Sequence, residues 1–168
     1  DWVNYGRDLN DPNAIGSHGV VVNLTTGKAT DNWSNSDTLI SIENAIGSNY
    51  DDTIIGNNQN NNIIGNAGND HIYGRAGDDW LIGWIGNDVI YGEAGADWIE
   101  GGQGSDLING GDGSDWVNYT NEDSDIKNIT GKGITVDILN GSVIDNWGDR
   151  DRLMNVENII CLLYTLRA

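Results

Sequence analysis

The chain has 168 residues, of which 26 are acidic and 8 basic, giving a net charge of −18; 38% are hydrophobic, with 24 Gly, one Pro and no Phe. That charge excludes a role built on attraction to phosphate, so nucleic acid is not expected as a partner. No apolar run reaches transmembrane length, and the single cysteine, Cys161, excludes an internal disulfide framework. Short aliphatics without Phe make a poor conventional core, so bound metal is expected to supply what burial does not.

Residues 1–46 form the first segment. Residues 19–24 read as a strand closed by Thr26-Gly27, and residues 38–42 as a second strand leading through 43–46 into the next segment. The N-terminal residues lack the pattern of a signal peptide. No stretch carries helical periodicity beyond about two turns.

Residues 47–118 divide without gap into eight nonapeptides. The first position is Gly in every repeat, from Gly47 to Gly110, and the fourth is Gly in the last six, from Gly68 to Gly113. The sixth reads Asp52, Asn61, Asp70, Asp79, Asp88, Asp97, Asp106, Asp115, and the eighth is always aliphatic, from Ile54 to Val117. Six residues with two Gly and a terminal Asp suit a tight turn that needs positive φ and room for backbone to approach an ion. The remaining three suit a short strand whose central side chain points inward. Two nonapeptides then make one 18-residue coil, with coils stacked at about 4.8 Å. Aspartates aligned at that spacing repel one another unless cations lie between them, and oxygen-only turns select a hard cation such as Ca²⁺.

These columns resemble the calcium-binding nonapeptide of the RTX family, G-G-x-G-x-D-x-U-x. The resemblance implies an all-β fold: a parallel β-roll, or β-solenoid, of 18-residue coils with β-rich flanks at 1–46 and 119–168. It implies export by a type I route, which fits a Cys-poor acidic chain in the calcium-rich extracellular space. Its metal ligands would come from Asp70, Asp79, Asp88, Asp97, Asp106 and Asp115. They would be joined by the first and third residues of the same turns: Gly65, Ala67, Gly74, Ala76, Gly83, Ile85, Gly92, Ala94, Gly101, Gln103, Gly110 and Asp112. Each ion would lie between turns one coil apart, so six complete turns give four sites. The partial turns at Gly47, with Asp52, and at Gly56 are candidates for one or two more, for about four to six ions at about 10⁻⁴–10⁻³ M. The turn at Gly56 has an amide, Asn61, at its sixth position, which weakens its claim.

Residues 115–160 repeat residues 1–46 at a constant offset of 114: Asp1-Trp2-Val3-Asn4-Tyr5 returns as Asp115-Trp116-Val117-Asn118-Tyr119, and Asp31, Asp37, Glu43 and Asn44 return as Asp145, Asp151, Glu157 and Asn158. The apolar stretch 161–166 stands where a new nonapeptide is due.

Other chemistries fare worse. The Gly-rich loops carry no Walker Lys and no following helix; Asp112-Gly113-Ser114-Asp115 lacks the Glu and helices of an EF-hand. His18 and His71 are far apart in sequence and lack Cys partners. The periodic carboxylates are explained by metal rather than by a glycosidase pair. No catalytic machinery is visible. Position seven should face outward, which stacks Trp80, Trp98 and Trp116 on one face. A plain stacked β-surface, cover by a flanking segment, a second protein chain or sugar rings are all open for that stripe. The expected function is a calcium-dependent secreted structural protein that self-associates through open solenoid ends and this Trp face. The rivals are a secretion and folding module of a larger enzyme, and a polysaccharide-binding module.

Overall fold

A computed structural model describes residues 1–6, 18–120, 134–145 and 147–161. The described residues hold seventeen strands and no helix. The first flank contributes β1 (Trp2–Asn4), β2 (Val21–Asn23), β3 (Lys28–Thr30), β4 (Ser36–Thr38) and β5 (Asn44–Ile46). The nonapeptides form β6 (Thr53–Ile55), β7 (Asn62–Ala67), β8 (His71–Ala76), β9 (Trp80–Ile85), β10 (Val89–Gly95), β11 (Trp98–Gln103), β12 (Leu107–Gly113) and β13 (Trp116–Asn118). The second flank adds β14 (Thr135–Asp137), β15 (Ser142–Ile144), β16 (Arg150–Met154) and β17 (Asn158–Ile160).

Alternate strands fall into two sheets, β1-β5-β7-β9-β11-β13-β17 and β14-β15-β16-β12-β10-β8-β6-β2-β3-β4. Within the roll every pairing is parallel and shifted by 18 residues, as in Ile72↔Ile90 and Leu81↔Ile99. Eight nonapeptides thus make a parallel β-solenoid of about four coils. All eight residues at position eight, from Ile54 to Val117, are fully buried between the sheets. One inward aliphatic per nine residues gives a core one side chain wide, which explains why Phe is absent.

Two expectations need correction. The strands β7 to β12 have six or seven residues rather than three, because the first positions of stacked turns stay in register and go on pairing, as in Asn66↔Trp84 and Ala67↔Ile85. In the first flank the second strand falls at Ser36–Thr38 rather than 38–42. Ile40 is exposed, and Ser41 has φ 53°, a bend that ends the strand. Strand β3 carries a single inward residue, Ala29, too weak a signal to read from sequence. The stretch 162–166 lies outside the described residues.

Both flanks are antiparallel meanders, β2-β3-β4 and β14-β15-β16, related by the 114-residue offset. They meet the roll by opposite edges. The first docks through its first strand, β2 on β6, and the second through its last, β16 on β12.

Candidate metal centres

Each complete turn ends in an aspartate whose two oxygens are used differently. On one side of the roll, Oδ1 of Asp70, Asp88 and Asp106 accepts the backbone N–H of Asp52, Asp70 and Asp88, each at 2.8 Å. On the other, Asp79, Asp97 and Asp115 accept from Asn61, Asp79 and Asp97 at 2.8–2.9 Å. Oδ2 of all six is buried without any hydrogen-bond partner. Leaving a buried charged oxygen unmatched is costly, so a cation or a proton has to meet it.

Backbone oxygens converge on the same places. A Cβ added at Gly83 would collide with Oδ2 of Asp88 and stand 2.6 Å from the carbonyl oxygen of Gly101 on the next coil. At Gly65 the corresponding atoms are Oδ2 of Asp70 and the carbonyl of Gly83 at 3.0 Å; at Gly74 they are Oδ2 of Asp79 and the carbonyl of Gly92 at 2.8 Å. Gly92 repeats the arrangement with Asp97 and the carbonyl of Gly110. The first-position glycine is thus required by space over its Cα, not by positive φ. The fourth position is the one with positive φ, 115–151° from Gly68 to Gly113. The second is left-handed too, at Asn66, Arg75, Trp84 and Glu93 as well as Gly102 and Gly111.

Among the described residues no group of three His, Cys, Asp or Glu side chains could hold a metal alone. A site here would combine one carboxylate per turn with backbone carbonyls, an all-oxygen set that suits Ca²⁺. At the third position, the carbonyls of Ile85, Ala94 and Gln103 accept from the N–H of Gly68, Gly77 and Gly86, and each keeps a second lone pair. Ala67, Ala76 and Asp112 hold the equivalent places in strand pairing.

The two partial turns differ. Oδ1 of Asp52 accepts from Val20 N–H and the Ser48 hydroxyl, and Oδ2 accepts from Ser48 N–H at 2.5 Å, so neither oxygen is orphaned. Oδ1 of Asn61 accepts from Asn57 N–H, while its amide nitrogen donates to the Glu43 carbonyl. Within the nonapeptides the orphaned oxygens therefore fall on the six complete turns and spare both partial ones.

Sequence reasoning missed how the rows end. Asp151 Oδ1 accepts from Asp106 N–H at 2.9 Å, and Glu157 Oε2 accepts from Asp115 N–H at 2.9 Å, so each flank residue extends one row. The Asn155 carbonyl takes the place of a next-turn glycine over Gly110. The 114-residue repeat identified Asp151 and Glu157, but only pairing shows them in line with the nonapeptide aspartates. A second ladder runs at position five, where Asn69, Asn87 and Ser105 N–H groups donate to the side chains of Asp51, Asn69 and Asn87.

Burial is the largest cause of the perturbed acidity along the rows. It pushes Asp70 and Asp106 up to about 8, Asp79 to about 7, and Asp88 and Asp97 to about 6, with neighbouring carboxylates adding to the effect. Without a cation these groups hold protons well above the usual carboxylate range.

Stacked turns of this kind, each offering an unmatched carboxylate and a facing carbonyl, define a calcium-binding parallel β-solenoid. Residues 46–81, 55–90 and 82–117 match the family model of the RTX calcium-binding nonapeptide repeat (4 copies). The chain thus carries RTX calcium-binding nonapeptide repeats across residues 46–117. No curated protein matches it. No described helix is long and apolar enough to cross a membrane.

Proposed function

We propose that this is a secreted structural protein, a surface, matrix or filament component, that folds on binding about four to six Ca²⁺ ions and joins its copies end to end. It has no catalytic role in this reading. RTX repeats support export by a type I route into a calcium-rich space, where the unmatched aspartates acquire their cations.

The observation that carries the end-joining is a comparison of the two flanks. In the first, Val22 and Ala45 are buried under the roll and Leu24 is 7% exposed. Their counterparts in the second, Val136 and Ile159, are only partly buried, and Ile138 is 83% exposed. The opposite end mirrors this: Val117, Tyr119 and Leu153 are buried, whereas Val3, Tyr5 and Leu39 are half-covered. A cleft lined by Val136, Ile138, Val143, Leu153, Val156 and Ile159 marks the second end. Among the described residues each end presents half of a core, with β1, β4, β14 and β17 as the edge strands.

Light scattering with and without Ca²⁺ tests this. Calcium should drive the chain into particles larger than a monomer, and Ile138→Asp should stop that growth while leaving calcium-induced β structure intact. A calcium-loaded wild type that stays monomeric at high concentration would contradict end-joining.

The Trp face favours a second contact. Trp80 and Trp98 have ring centroids 6.4 Å apart, Trp98 and Trp116 6.5 Å, and Trp80 and Trp116 stay 48% and 40% exposed. Lateral association of copies fits this stripe; a polysaccharide-array screen distinguishes stacking on sugar rings.

A further inference from the structure

The two flanks share one loop whose chemistry differs between the copies. In the first, Oδ1 of Asp31 accepts from the N–H groups of Trp33 and Asn35 at 3.0 and 2.7 Å, and Oδ2 accepts from the Asn35 side-chain amide at 3.0 Å. That carboxylate is satisfied by its own loop. At the offset of 114, Asp145 repeats the turn, with Oδ1 accepting from Gly148 and Asp149 N–H, both at 2.7 Å. Position 149 is Asp where position 35 is Asn. The amide donor is thereby exchanged for a second acid. Oδ2 of Asp145 is left buried and unpartnered, in a residue 0% exposed.

This loop sits at the last turn of one row. Arg150 N–H donates to Ser105 Oγ at 3.3 Å and Asp106 N–H to Asp151 Oδ1 at 2.9 Å, which lays the loop against the turn ending in Asp106. Oδ2 of Asp106 is itself orphaned. Every earlier turn in the row has a next-coil carbonyl 2.6–3.0 Å from the Cβ position of its first glycine, but at Gly101 the three nearest atoms all belong to Asp106. The guanidinium of Arg150, beside this loop, donates instead to Ser142 Oγ at 3.2 Å. No carbonyl oxygen comes within 3.2 Å of that Cβ position, and the loop docked on this turn brings a buried carboxylate oxygen with no hydrogen-bond partner. The charges of Asp151, Asp88 and Asp145 add to burial in raising Asp106, which places Asp145 within its electrostatic reach.

We propose that Asp145 and Asp106 together hold a divalent cation, calcium by preference, where the last coil meets the second flank. The first flank has no such site. The ion closes the row, with Asp149 adding negative charge beside it, and ties the meander to the roll. This rests on the calcium reading of the rows.

The test is calcium stoichiometry of the full chain at saturation, by equilibrium dialysis with metal analysis. Asp145→Asn should bind one ion fewer than wild type, and Asp31→Asn the same number as wild type. Because Asp145→Asn removes a buried group and could disturb the flank, Asp149→Asn is the second variant. It restores the amide that satisfies the first-flank loop, so it should keep the fold by circular dichroism and also lose one ion. Unchanged stoichiometry in both Asp145→Asn and Asp149→Asn overturns the site while leaving the calcium reading standing. A wild type that binds no calcium overturns both.

Discussion

Asp88 and Ile90 lie two residues apart and face opposite demands, one toward the turn and one into the core. Asp88→Ala removes an orphaned oxygen and the acceptor for Asp70 N–H, so it should weaken calcium-induced folding and lower the number of ions bound at saturation. Ile90→Ala should cost about 2–5 kcal/mol through lost burial and leave that number unchanged. Equal stoichiometry in the two variants would remove position six from the ligand set. Gly86, with φ 141°, would place a Cβ against the carbonyl oxygen of Gly68, so Gly86→Ala should raise the calcium midpoint markedly. An unshifted midpoint would contradict that close approach. At this scale the sequence was legible where one residue type fills a column, as at positions one, four, six and eight. Position two escaped because Asn66, Arg75, Trp84 and Glu93 share a left-handed backbone without sharing a side chain.

The rows of aspartates act as elements, and their protonation is a property of the stack. In the metal-free fold, burial lifts five of them from an ordinary value near 4 to about 6–8. The folded state then binds protons that the unfolded chain releases. Its share of stability is fully present below about pH 4 and is lost as pH rises through 6 to 8. Acidifying chelator-treated protein from about pH 8 to 5 should therefore increase its β signal, and the calcium midpoint should move to higher concentration as protons compete. A metal-free spectrum insensitive to pH over that range would contradict this. The Trp face is also an element: Trp80→Ser with Trp98→Ser should reduce lateral association in scattering without altering calcium-induced folding. Stacking at position nine, with Tyr73 and Tyr91 rings 5.4 Å apart and 4° from parallel, follows from the 18-residue period. The meanders were not, because strands of three residues with one inward side chain carry no period of their own.

Across the whole molecule, the duplicated flank is what the sequence made plain and pairing made meaningful. The offset of 114 was visible in residues such as Tyr5 and Tyr119, whose hydroxyls donate to Asp37 and Asp151 at 2.8 and 2.9 Å. Which edge of each copy docks was not, since both edges carry similar short strands and only the neighbouring roll decides between them. Four coils with one buried aliphatic per nonapeptide, many glycines and a net charge of −18 leave little to hold the roll together without cations. The most direct measurement is far-ultraviolet circular dichroism of the full chain at neutral pH, titrated with Ca²⁺ and then returned to excess chelator. The account predicts a largely unfolded spectrum without metal, a cooperative rise in β signal with calcium, and its loss on chelation. A β-rich spectrum that persists unchanged in excess chelator would contradict it.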